Sequence, residues 1–308
     1  MSYFMLAATI VAQVAAAASP PPPEYVPQRV YDTRRGAFTD FESMVVDLAR
    51  ADVVFVGEQH DDGRTHRLEE ALLSGLRRRK VAPTLSLEMF ERDVQGVVDR
   101  YLAGSIPESQ FLQESRPWPR YATDYRPLVE MAKTEGWTVL AANLPRRVAS
   151  AVAKSGEPAI EQLPSADRAL VAARLECPHD AYFERFTEAM TDHSPPENKV
   201  SKPASAPSIT EQRATTDRYF WSQCAKDETM AESVAHAVTD RAGKPGPVVH
   251  FSGAFHTDFG AGTAERTRRR LPGRRVAVVS ILPVVDLDVV APGGDDLKRA
   301  DYLVYTLK

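Results

Sequence analysis

Two apolar runs that end in the same way constrain the fold of this chain more than any other feature. Residues 51–60 read ADVVFVGEQH and residues 248–256 read VVHFSGAFH. Each run stops at a glycine, Gly57 or Gly253, and reaches a histidine, His60 or His256, three positions later. A short continuous apolar run rich in β-branched residues predicts a strand buried on both faces. An imidazole just past its carboxyl end stands where open α/β sheets bind ligands. Taken singly, such a glycine is ordinary turn punctuation and such a histidine an ordinary loop residue. The pair gains weight because other predicted strands also end in polar groups.

Between these runs, apolar strands alternate with helical periodicity. Asp40 caps a helix over 40–51 with Phe41, Met44, Val45 and Leu48 on one face, and a second helix over 63–79 presents Leu68, Ala71, Leu72 and Leu76. The strand TLSLEMF (84–90) carries Glu88, and Arg92 and Gln95 follow it; the strand WTVLAAN (137–143) ends at Asn143. Helices are predicted over 127–136, 145–154, 165–176 and 181–191, then over 209–241 and 261–271, with a strand at 275–282. Residues 30–36 read as a short polar stretch, and DYLVYTL (301–307) alternates as an edge strand would. The expected fold is therefore α/β: a mostly parallel central sheet flanked by helices, with a helical insertion and a C-terminal edge strand. Its ligand side collects Glu58, His60, Glu88, Asn143 and His256 from separate strand ends.

The remaining segments set the boundaries. Residues 4–18 are an apolar run ending in small residues, which predicts a signal peptide over 1–18 despite the lack of a basic start. A Pro-rich linker over 19–29 and one domain over 30–308 follow, and the polar, Pro-studded stretch 193–206 is expected to be a disordered loop. The mature chain would be periplasmic or secreted, with no transmembrane anchor and no cysteine at the cleavage site for a lipid anchor. A net charge of -4 leaves no basic field for nucleic acid, and the arginine clusters 77–79 and 268–270 read as helix ends. Cys177 and Cys224 either pair or are two buried thiols; their spacing argues against a Cys-based zinc site.

Three chemistries suit the collected residues. Glu58, His60 and His256 could ligate a divalent metal such as zinc or manganese, which would activate water for hydrolysis. Glu58 and His60 could instead act as a general acid and base without metal. A binding protein is the third reading, with Tyr121, Tyr125 or an imidazole as an axial ligand to haem iron. A nucleophilic triad finds little support, since Ser252 lacks the flanking glycines of a nucleophile elbow.

The blocks VVFVGEQHDDGRTH, LSLEMFERDVQ, WPRYATDYRPL, AANLPR, QCAKDETMAESV and GAFH, in this order, resemble the ChaN family of haem-binding, iron-regulated bacterial proteins. That family belongs to a superfamily with the Tiki metalloproteases, TraB proteins and erythromycin esterases. The resemblance implies that Glu58, His60, Glu88 and His256 line a crevice supported by Arg92 and Gln95. It implies a haem-ligating tyrosine in the block 118–127, where Tyr125 is preferred to Tyr121 because it directly precedes Arg-Pro-Leu. It also implies haem bound between two subunits of a homodimer, and a role in an outer-membrane uptake system for haem or iron. The residues shared with the metal-dependent hydrolases keep that activity as the alternative.

Overall fold

A computed structural model describes residues 25–192, 209–241 and 245–308. The expected signal peptide over 1–18, the first part of the expected linker and the stretch 193–206 lie outside these residues. Eight strands form one sheet: β1 (Gln28–Asp32), β2 (Ala37–Thr39), β3 (Val53–Glu58), β4 (Thr84–Glu91), β5 (Val139–Asn143), β6 (Val248–Gly253), β7 (Val276–Val284) and β8 (Tyr302–Leu307). Their order is β2-β1-β8-β7-β3-β6-β4-β5. From β8 to β5 every pairing is parallel, and the hairpin β1–β2 adds antiparallel to β8. β3 and β6 lie at the centre, and every residue of both is buried, as their unbroken apolar runs require.

The chain lays down β3, steps outward to β4 and β5, and returns to insert β6 between β3 and β4 before crossing to β7. This reversal opens a crevice at the carboxyl ends of β3, β6 and β4. Helices cover both faces. Helix Phe41–Leu48 starts at Asp40, whose side chain accepts from the Ser43 N–H at 2.7 Å. Helix Gly63–Arg78 starts at Asp62, which accepts from the Arg64 N–H at 2.8 Å, and buries Leu68, Leu72 and Leu76 at one-turn spacing. The long helix Ile209–Asp240 buries Phe220, Cys224, Ala231 and Val234 against the opposite face.

Three expectations need correction. β8 is not an edge strand, because residues 28–32, read as linker and polar stretch, form β1 and pair with it from Gln28↔Thr306 to Asp32↔Tyr302. The true edge on that side is the three-residue β2, short enough to resist further pairing. The helix expected over 165–176 stops at Arg168. Beyond it the N–H groups of Ala172, Ala173 and Glu176 donate to the side chains of Thr229, Glu232 and Glu228, so helix Ile209–Asp240 supplies the acceptors that a continuing helix would have.

Candidate functional site

The two glycine turns make room for each other. β3 and β6 run side by side with Gly57 opposite Ser252 and Glu58 opposite Gly253. A Cβ on Gly57 would stand 2.9 Å from Thr257 Oγ1 and 3.0 Å from Ala254 Cα. A Cβ on Gly253 would stand 2.7 Å from His60 Nε2. Each glycine thus leaves space for residues just beyond the end of the other strand. Gly253→Ala is expected to push the His60 ring off Glu58 and return its pKa toward the ordinary histidine value. An NMR titration that leaves His60 unchanged in this variant would contradict that account.

Glu88 is the centre of the charge arrangement. Its Oε2 accepts from the Gly253 N–H at 2.9 Å, and Asn143 Nδ2 donates to its backbone oxygen at 3.0 Å. His256 Nε2 lies 3.3 Å from Glu88 Oε1, and His60 Nε2 lies 4.0 Å from Glu88 Oε2. Behind each imidazole stands another carboxylate: Glu58 Oε1 is 2.6 Å from His60 Nδ1, and Asp227 Oδ1 is 2.7 Å from His256 Nδ1. Thr263 Oγ1 at 2.8 Å and Tyr182 OH at 2.7 Å donate to Asp227, and Tyr125 OH donates to Glu58. A carboxylate fixing Nδ1 while Nε2 faces inward is the outer-shell pattern of metal-ligating histidines.

Burial alone would lower the His256 pKa, but Glu88 and Asp227 on either side raise it to about 10. Burial opposes the ionisation of Glu88 as well, yet His256, His60 and the Gly253 N–H hold its carboxyl well below the usual range. His60 is shifted upward: burial is outweighed by the Glu58 hydrogen bond and the Glu88 charge. The two histidines differ in access, since the His60 side chain is 46% exposed and that of His256 only 7%. Outside them lies a cleft of about 650 Å³ whose wall includes His60, His256, Phe255, Phe259, Arg185 and Arg299. Phe259 holds a left-handed backbone, φ 63°, which is strained for an aromatic residue, and both arginines lie over its ring.

Glu58, His60, Glu88, Asn143 and His256, from the ends of four strands, therefore meet. Arg92 and Gln95 do not join them. Arg92 ties β4 to helix Ile209–Asp240 through Ser233 Oγ at 2.8 Å and the Thr229 carbonyl at 2.7 Å. Gln95 bonds the outer edge of β5, donating to the Val139 carbonyl at 2.9 Å and accepting from the Ala141 N–H at 2.7 Å. Tyr121 packs in the core against Phe111, and Tyr125 is buried behind Glu58, so neither phenol oxygen opens on the cleft. Trp118 does reach the mouth, with its ring edge-on to His60 at 4.7 Å. Asp227 is absent from the residues expected at the site, although the stripe Phe220, Cys224, Asp227, Ala231, Val234 places it at core spacing on its helix.

Among the described residues no helix is long and apolar enough to cross a membrane. Cys177 and Cys224 form a disulfide, with Cα atoms 5.8 Å apart.

No curated protein matches the sequence. Among solved structures the chain is similar to "Cofacial heme binding to ChaN of Campylobacter jejuni", with a TM-score of 0.62 and 17% identity over 91% of this chain and 97% of that one. It is also similar to a Bacillus cereus protein, with a TM-score of 0.48 and 11% identity over 87% and 92% of the two chains. An erythromycin esterase mutant in its open conformation matches with a TM-score of 0.43 and 12% identity over 91% and 83%. The first of these likenesses concerns the fold. The family model described as "Haem-binding uptake, Tiki superfamily, ChaN" matches residues 44–267, and the chain belongs to that family.

Proposed function

We propose that this chain binds haem in the cleft outside β3 and β6, with His60 as the iron ligand. The observation that carries the reading is the state of His60: Nδ1 is held by Glu58 at 2.6 Å, while the ring is half-exposed at the cleft mouth. The cleft fits the group in size and lining. Phe255 and Phe259 offer apolar surface for a porphyrin, and Arg185, which has no carboxylate partner among the described residues, suits a propionate. The buried positions of Tyr121 and Tyr125 favour the imidazole over a phenolate. A role in iron or haem uptake from an oxidising, extracytoplasmic compartment is part of this proposal, supported by the disulfide and by the signal-like residues 1–18.

The test is a titration of metal-stripped protein with ferric haem, followed by absorbance. Saturable binding is expected, weakened at least tenfold in His60→Ala and retained in Tyr121→Phe and Tyr125→Phe. Unchanged affinity in His60→Ala would remove the imidazole, and loss in Tyr125→Phe would restore the tyrosine reading.

A second reading, a metal-dependent hydrolase, is favoured by one observation: two carboxylate-braced imidazoles converge on Glu88. His60, His256 and Glu88 would hold a zinc or manganese ion, which would supply a Lewis acid and an activated water. This reading requires His60→Ala and His256→Ala each to abolish both crevice metal and turnover of a model ester.

A further inference from the structure

Behind the crevice, on the far side of Glu58 from His60, lies a polar cluster that neither reading uses. His66 and Glu69 sit one turn apart on the same face of helix Gly63–Arg78, and both are buried against Glu58. His66 Nε2 lies 3.2 Å from the backbone oxygen of His60. A carbonyl can only accept, so Nε2 carries a hydrogen there. The other nitrogen, Nδ1, faces Glu69 Oε2 at 3.0 Å and Glu58 Oε2 at 4.0 Å. Glu58 Oε2 and Glu69 Oε1 are buried with no donor among the other described residues, so either a carboxyl proton shared between them, which burial and the Glu58 charge favour on Glu69, or a cation must answer both. Buried carboxylate oxygens are costly unless a donor or a cation answers them.

We propose that Glu58, His66 and Glu69 form a buried binding site for a divalent transition-metal ion. One ligand atom from each residue lies within 4.8 Å of the other two, so modest side-chain movement brings all three onto one ion. An imidazole fixed by a backbone carbonyl through its second nitrogen is how ligating histidines are oriented. Two carboxylates neutralise a divalent charge, and the nitrogen donor favours zinc, manganese or ferrous iron over calcium or magnesium. A proton on Glu69 would join the two oxygens to each other, and Glu69→Gln separates that arrangement from a bound ion. The ion answers them together. Its position gives it a positioning role: it fixes Glu58, which in turn holds His60 and Tyr125. The inference is independent of what the cleft binds.

The test uses the full chain, unfolded in guanidinium with chelator, then refolded without metal or with zinc, manganese or ferrous iron singly. After gel filtration, metal content is measured by mass spectrometry and stability by thermal melting. Wild type is expected to retain one ion per chain more than Glu69→Gln does, and to melt at higher temperature with it. His256→Ala should retain that ion, while His66→Ala and the near-isosteric Glu69→Gln should lose it together with the metal-dependent rise. Because Glu69→Gln keeps the side-chain shape, it separates loss of the ion from loss of the fold. Wild type that retains no ion from any of the three metals overturns the proposal. So does a retained ion that Glu69→Gln keeps and His256→Ala removes. A Glu69→Gln variant as stable as metal-refolded wild type would point instead to a proton shared between the two carboxyl groups.

Discussion

His256→Ala is expected to cost about 3–5 kcal/mol of stability at neutral pH, the range for breaking a buried ion pair from one side. The reason lies in what remains. Without the imidazole, Glu88 and Asp227 face each other's charge inside the fold, and the groups left to them, the Gly253 N–H, Thr263, Tyr182 and the more distant His60, do not cancel it. The pH dependence comes from linkage. The His256 pKa is raised from 6.5 to about 10, so its contribution is fully present below pH 6.5 and is lost as pH rises through about 10. The Glu88 pKa is depressed below 4.5, so its contribution is present above that value and is lost as pH falls toward the folded pKa. Metal-free wild type should therefore be most stable between these limits. Urea denaturation in the presence of EDTA should show the gap between wild type and His256→Ala narrowing from about pH 7 to about pH 10.5. A gap of the same size at both ends would mean that lost packing, not charge, accounts for the cost.

The same network explains what the sequence makes legible and what it hides. Strands β3 and β6 announce themselves because burial on both faces demands unbroken apolar runs, and their Gly-x-x-His endings mark the candidate site. The register that sets Gly253 under His60 is a contact between residues 193 positions apart, and periodicity carries no information on it. Asp227 is hidden for a related reason. A charged residue within an apolar helical stripe reads as an interruption until the histidine it braces is known to lie opposite. β1 escapes a periodicity reading because a five-residue strand with Val30 as its main core residue offers too little alternation, and pairing with β8 on one side and β2 on the other holds it in place. Tyr121 and Tyr125 show the limit of carrying a role by motif. Both sit in the expected block, but one turn of helix Tyr121–Asp124 turns the first into the aromatic core and the second toward Glu58.

Removing the Cys177–Cys224 disulfide is expected to lower stability by about 4 kcal/mol, from the entropy of closing a loop of this length in the unfolded chain. The bridge spans 47 positions and joins the irregular segment after Arg168 to helix Ile209–Asp240. For a chain of this size the loss corresponds to a melting temperature lower by roughly 8 °C. Its structural consequence reaches the site. Cys224 packs with Tyr182, Phe186 and Phe220, and Tyr182 donates to the Asp227 carboxylate that braces His256. The double variant Cys177→Ser, Cys224→Ser should therefore melt earlier and also show a His256 pKa below that of the oxidised protein. Thiol titration of the unreduced, denatured wild type should find no free thiol. Two reactive thiols there would refute the bridge. An unchanged denaturation midpoint in the double variant would mean that the segments it joins stay together without it, held by the acceptors that Thr229, Glu232 and Glu228 present to residues 172–176. A lower midpoint with the His256 titration unchanged would confine the bridge to stability and separate it from the site.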